Sequence, residues 1–330
     1  MKDAGRSRCA SRALGAGIAL AATGFFAAYA IRNFEDIPAV NWEGASPAIA
    51  VMTVALAVLT TSLGGCIWLV LLKAIGSSVS WRMAESIFAV AQFGKYLPGG
   101  MAQHVGRVLL AREAGIPVPI TVSAMLIEAV WLVGVAATLG LVALLLFIDA
   151  SSLGWLADVQ PMGIALTLAL TAVAPWVAIR FVNARLPGIA KRVALEGLIP
   201  EPGLRAALLV GVLYLACFFL AGLTLKFHAE WLFRIANMGL IEITCLFAVA
   251  WVAGYMTPGA PGGLGIREAM VVLLLSPLVG GGAAVGLAVT TRIATALGDL
   301  VAFLVGLAVM RHMRRSPNIS VMTDGSAGQA

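Results

Sequence analysis

Two stretches of this chain set charged side chains beside glycine. FGKYLPGGMAQHVGRVLLAREAG, over Phe93–Gly115, gathers Lys95, Pro98, Gly99, Gly100 and Arg107. TPGAPGGLGIREAM, over Thr257–Met270, gathers Pro261, Gly262, Gly263, Arg267 and Glu268. In each, a Gly-Gly turn opens into a new helical pattern: Gly99-Gly100 into Met101, and Gly262-Gly263 into Leu264. A helix N-terminus offers unbonded N–H groups and a partial positive charge. Glycine lets a ligand approach that backbone, and an arginine one or two turns on adds a fork that suits phosphate. The chemistry expected is anion binding at each turn, with the phosphate of a lipid headgroup as the natural ligand. Arg267 and Glu268 are neighbours and point differently around a helix, so no direct pair between them is expected. No metal and no cofactor are expected, because His104, His228 and His312 are far apart and the four cysteines have no ligand spacing.

The surroundings explain why a lipid is the natural ligand. The chain has 330 residues, 61% of them hydrophobic and only 12% charged, where a soluble domain carries roughly a quarter charged residues. Apolar runs of about 20 residues mean transmembrane helices, which excludes a soluble enzyme and removes nucleic acid as a reading of the +6 net charge. Six full spans are expected, near Leu14–Ile31, Ala48–Leu72, Ile120–Ile148, Met162–Ile179, Ala206–Leu225 and Ala283–Met310. Two further segments, about 81–115 and 238–278, are broken by Pro and Gly. If each enters and leaves on one side, fifteen basic residues fall on one face and three (Arg32, Lys226, Arg234) on the other. The positive-inside rule then places both termini in the cytoplasm. The first span also resembles a secretory signal ending at Ala28-Tyr29-Ala30; an uncleaved anchor is the reading adopted. Residues 316–330 read as a disordered cytoplasmic tail after a single membrane domain over 1–315.

The two broken segments also share sequence. FAVAQFGKY (Phe88–Tyr96) and FAVAWVAGY (Phe247–Tyr255) agree at five of nine positions, and a proline precedes an arginine by nine residues in both: Pro98 and Arg107, Pro258 and Arg267. Three spans separate them, so the two hairpins would enter from opposite faces. The expected fold is an all-α polytopic membrane protein with six full spans plus two re-entrant helical hairpins related as an inverted repeat, a recurrent transporter design. A pair of ordinary proline-kinked helices is the alternative.

Glu128, Glu242, Arg292 and Asp299 are further intramembrane charges, each costing about 2.5–3.5 kcal/mol at mid-bilayer. They are expected to line a polar cavity or relay protons; interhelical pairing is the bland alternative. Arg292 and Asp299 stand two turns apart on one helix face, roughly 10 Å, too far for contact but able to share one wall.

Together, GKYLPGGMAQHVGRVLLAREAG and TPGAPGGLGIREAMVVLLL resemble the two signature stretches of the lysylphosphatidylglycerol synthase transmembrane, or flippase-like, family. That family includes the membrane half of the bacterial multiple peptide resistance factor. The resemblance runs from roughly Leu14 to Met310. It implies a bacterial inner-membrane protein that moves lipids or lipid-linked sugars between leaflets, with functional positions at Lys95, Pro98, Gly99, Arg107, Pro261, Gly262, Gly263, Arg267 and Glu268. The polar end after Ser316 leaves no room for the resistance factor's soluble domain, so aminoacyl-lipid synthesis is not expected.

The expectation is therefore a lipid translocase, not an enzyme. Its partner is membrane lipid, an anionic phospholipid or a polyprenyl phosphate, with no nucleic acid; a second copy of the chain or an envelope enzyme is the protein partner considered. No phosphate-binding NTPase loop is present, and Glu128, Glu242, Glu268 and Asp299 are the proton-relay candidates. The alternatives are a lipid-phosphate phosphatase or lipid glycosyltransferase, which would want a nucleophile or metal carboxylates at the turn, and a non-transporting envelope-complex subunit.

Overall fold

The computed structural model describes residues 21, 23–97, 101–147, 162, 163, 166, 175–188, 199–236, 238–257 and 260–315. Among these the chain is helical and without strands. Helix α1 covers 23–32, α2 Ser46–Ala74, α3 Trp81–Gln92, α4 Ala102–Glu113, α5 Val118–Phe147 and α6 175–185. They are followed by α7 Leu204–Phe227, α8 Leu240–Met256, α9 Ile266–Val279 and α10 Gly281–Arg315. Four apolar stretches among the described residues are long enough to cross a membrane: Ser46–Ala74, Val118–Ala143, Leu204–Leu232 and Gly281–Arg315. The spans expected at Leu14–Ile31 and Met162–Ile179 are described only in part, over 21 and 23–31 and over 162, 163, 166 and 175–179; Pro98, Gly99, Gly100, Pro258, Gly259 and the tail after Arg315 lie outside the described residues.

Local chemistry sets the helix ends. Pro47 stands in the first turn of α2, where its missing N–H costs nothing. Ser80 caps α3 by accepting from the Met83 N–H at 3.3 Å. Large apolar side chains such as Val51, Val212, Ile293 and Val305 stay exposed, as a surface that meets lipid rather than water requires. The inward faces bury Trp68, Trp131, Ile127, Ile243 and Leu287 almost completely. Helices approach closely through small residues: a Cβ at Gly298 of α10 would meet Ala57 Cβ of α2 at 2.5 Å.

The two broken segments form helix–turn–helix units whose limbs lean on each other: α3 on α4, and α8 on α9. A 3-10 turn, Phe93–Tyr96, follows α3, and another, Pro261–Gly263, precedes α9. The first unit packs on α2 and α10, the second on α5, α7 and α10, and the two turns touch. Their outer ends lie apart. Arg314, at the end of α10, bonds Glu113 at the end of α4 at 2.7 Å. At the other end of α10, Gly281 and Gly282 abut Tyr29, Asn33 and Asp36. The Trp231 carbonyl beyond α7 accepts from Ser46 at 3.0 Å.

Candidate functional site

Where the two turns meet, the chain concentrates buried charge. Residue Lys95, in the tight turn after α3, places Nζ 2.6 Å from Asp299 Oδ2 of α10. The next residue, Tyr96, donates its hydroxyl to the same oxygen at 2.6 Å, and Thr61 of α2 donates to Oδ1 at 3.0 Å. Asp299 is thus held by three side chains from two elements while only 4% exposed. Phe93 fixes the turn by stacking on Phe303, one helical turn beyond Asp299, with ring centres 4.9 Å apart. The hairpin closes tightly here: a Cβ at Gly94 would lie 2.8 Å from the Gln103 amide nitrogen.

The second turn sits against the first. Gly262 adopts φ +56°, and a Cβ there would be strained and would reach the Lys95 carbonyl at 3.3 Å. Only glycine suits both demands. Its own carbonyl accepts from Arg292 Nη1 at 3.1 Å. Gly254 in α8 serves the return limb, since a Cβ there would meet Arg267 Cβ at 3.1 Å and Gly263 Cα at 3.3 Å.

Glu268 divides its oxygens between two tasks. Oε2 accepts from the Gly265 N–H at 2.7 Å and caps the start of α9, one half of a capping box, because glycine has no side chain to return the bond. Oε1 lies 3.6 Å from Arg292 Nη1 and 3.9 Å from Arg267 Nε. The expectation that Arg267 and Glu268 stay apart is corrected: capping turns the carboxylate back over the helix start, within reach of its neighbour. Neither Glu268 Oε1 nor Arg292 Nη2 has a hydrogen-bond partner, although both are buried. Together with Phe247, Arg267, Val271, Ala288 and Thr291, these two residues line a narrow cleft.

Arg107 and Glu128 form a separate site. The guanidinium of Arg107, from α4, donates to Glu128 Oε2 of α5 at 2.5 Å and lies over the Phe88 ring at 4.4 Å, with Trp68 at 5.5 Å. Arg107 is 3% exposed. The two turn arginines, alike in sequence, therefore sit differently: Arg107 is matched by one carboxylate under aromatic rings, while Arg267 joins the central cluster.

Of the remaining sequence candidates, Pro261 and Gly263 bound the second turn. Arg292 and Asp299 do share one helix face, but each serves a different turn. Glu242, in the first turn of α8, suits the helix dipole and takes part in neither cluster. Pro98, Gly99 and Gly100 lie outside the described residues. Tyr96 and Thr61 were missed. Tyr96 stood in the shared nonapeptide, where the matching positions of Tyr96 and Tyr255 were a usable signal; Thr61 lies in an apolar run that gave none.

The geometry puts three cations (Lys95, Arg267, Arg292) against two carboxylates (Glu268, Asp299) inside an apolar helix bundle. Comparison with known sequences agrees with the membrane reading. A family model, the lysylphosphatidylglycerol synthase TM region, matches residues 13–302. No curated protein matches the chain significantly. With the match covering most of its length, the chain belongs to the lysylphosphatidylglycerol synthase transmembrane-region family, as a multi-pass membrane protein with a lipid-related role in the cell envelope.

Proposed function

We propose that the chain translocates a phospholipid or a polyprenyl-phosphate-linked lipid between the leaflets of the bacterial inner membrane, binding the headgroup phosphate where the Phe93–Tyr96 turn meets the glycine-rich turn before α9. The observation that carries this reading is the central cluster. It holds one more cation than anion and leaves Arg292 Nη2 without a partner beside a cleft. A buried guanidinium with a free N–H is a costly feature unless something anionic completes it.

Alternating access is the mechanism that the arrangement supports. The α3–α4 unit has both outer ends near the ends of α2 and α10; the α8–α9 unit has both near the start of α10. This favours two re-entrant hairpins from opposite faces, with tips meeting inside the membrane. An inverted repeat is supported by a further correspondence. Glu85 of α3 and Thr244 of α8 stand at equivalent positions, 159 residues apart. Each lies on a glycine of the preceding long helix, Gly65 and Gly222, where a Cβ would collide with it. Rocking one repeat against the other would open the cleft to one face and then the other. The basic residues, fifteen against three, favour cytoplasmic termini under this topology.

The test is leaflet exchange of labelled anionic phospholipid and of polyprenyl phosphate in vesicles holding the purified protein. Arg292→Gln and Arg267→Gln are expected to lower exchange at least tenfold while unfolding at temperatures close to wild type. Wild-type protein that exchanges neither lipid, with or without a proton gradient, overturns the reading.

A further inference from the structure

His228 is the least expected polar group in this protein. It opens a π-helical turn, His228–Leu232, at the end of α7, and is only 2% exposed. Single π-turns in helices occur frequently at functional sites. Its Nε2 lies 3.0 Å from Thr53 Oγ1 of α2, and its Nδ1 lies 3.3 Å from Thr291 Oγ1 of α10. Thr291 also lines the central cleft, next to Arg292.

The neighbouring bonds assign the imidazole protons. Thr53 already donates its hydroxyl to the Ala50 carbonyl at 2.8 Å, so it accepts from His228 Nε2–H. A neutral imidazole then has Nδ1 as its acceptor, and Thr291 donates to it. Thr291 is unusual in spending its hydroxyl this way. Thr60, Thr121, Thr138, Thr224, Thr244, Thr257 and Thr290 each return theirs to the carbonyl four residues earlier. Thr61 is another exception, donating to Asp299. Thr53 and Thr61 are eight residues apart, as are Thr291 and Asp299. Two polar cross-ties therefore join α2 to α10, separated by about 12 Å of helix. One is closed by the Lys95 ion pair. The other is closed by a histidine.

We infer that His228 is a proton-binding site whose occupancy controls the tie between α10 and α2 beside the cleft. A proton at Nδ1 makes that nitrogen a donor. The Thr291 oxygen must then accept, and its hydroxyl proton has to find a new acceptor. Two are available in chemistry: a carbonyl of its own helix, as its fellow threonines use, or the unbonded Glu268 Oε1 on the same cleft wall. Either way the tie changes on the helix that carries Arg292 and Asp299.

The charged neighbours leave His228 to respond on its own. The elements packed on the π-turn are α2, α7 and α10. α2 has one charged residue, Lys73, at its far end. On α7, Arg205 is at the opposite end and Lys226 is matched by Glu230 at 2.7 Å. α10 presents Arg292 beside Thr291, and Asp299, which is held by Lys95. Glu43 and Arg234, on the adjoining loops, face each other at 3.4 Å.

The proton site stands apart from the translocase reading; only its consequence for coupling rests on that reading. The direct test is nitrogen NMR of histidine-labelled protein in lipid nanodiscs between about pH 8 and about pH 3.5, a range wide enough for a buried imidazole, with His228→Asn to assign the signal among the three histidines. The expected result is a single Nε2–H tautomer at high pH that converts to imidazolium as pH falls. Thr291→Val is expected to move the midpoint by about one pH unit or more, because it removes the donor that occupies Nδ1. A His228 that stays neutral throughout, or a midpoint unmoved by Thr291→Val, overturns the proposal. Lipid exchange then reads the coupling: a several-fold pH dependence in wild type, flattened in both variants, is expected. An exchange profile unchanged in both variants overturns the coupling. Absent exchange in wild type with a titrating His228 rejects the translocase reading and upholds the proton site.

Discussion

Lys95 Nζ and Asp299 Oδ2 meet at 2.6 Å, tying the first hairpin's turn to the last long helix. Removing the lysine strands a carboxylate that is 4% exposed. Loss of one partner from a buried ion pair costs about 3–5 kcal/mol. Lys95→Met is therefore expected to lower the unfolding temperature strongly in detergent, and Asp299→Asn added to it to recover at least half of the loss. The asparagine can still meet Tyr96 and Thr61. If Lys95→Met unfolds at the wild-type temperature, the pair is not holding the turn.

The Arg107–Glu128 pair calls for the opposite experiment. Arg107 is matched in charge by Glu128 alone and covered by Phe88 and Trp68; its Nε has no hydrogen-bond partner, but unlike the central cluster the pair carries no surplus positive charge to offer a ligand. Replacing a buried ion pair by apolar residues of similar volume is often neutral or stabilising by about 1–4 kcal/mol. Arg107→Met with Glu128→Leu is expected to fold at least as stably as wild type and to keep lipid exchange, while Arg107→Met alone loses stability. A well-folded double variant without exchange would make this pair part of the transport machinery.

Much of the architecture was readable from the residues, because its signals are local. Pro-Gly turns broke two apolar runs, and α3 with α4 and α8 with α9 follow those breaks within a few residues. The meeting of turns was not readable. Tyr96 and Asp299 are 203 residues apart, and no periodicity links them. Nor did the shared nonapeptide announce that Arg107 and Arg267 would differ. The partner that separates them, Glu128, lies on α5, beyond the repeated stretch. His228 escaped for another reason: its partners are threonines, which apolar helices carry freely because their hydroxyls return to the backbone.

Gly298 tests how closely α2 and α10 must approach. A Cβ there would lie 2.5 Å from Ala57 Cβ and 3.0 Å from backbone atoms of α2. The backbone cannot yield as a flexible side chain would, so the helices must separate. Overpacking of this kind costs about 1–3 kcal/mol. Gly298→Ala is expected to lower the unfolding temperature, and Ala57→Gly in the same chain to restore only part of it. Gly188→Ala, where a Cβ meets nothing within 4 Å, is the control and should unfold like wild type.

The hairpin topology can be decided by labelling from each side. In a chain freed of its native cysteines, single cysteines at Arg82 and Arg112 flank the first hairpin, and at Ala236 and Leu278 the second; all four positions are exposed. If both hairpins are re-entrant, a membrane-impermeant thiol reagent reaches Arg82→Cys and Arg112→Cys from the same side. It reaches Ala236→Cys and Leu278→Cys from the other. Under that topology the side carrying the fifteen basic residues is expected to be the cytoplasmic one. A hairpin that crossed fully would split its pair between the two sides. Every basic loop after it would then change face, and the charge asymmetry that supports the orientation would disappear. The Arg314–Glu113 contact at 2.7 Å favours the re-entrant outcome for the first hairpin, because it holds the end of α4 beside the last turn of α10.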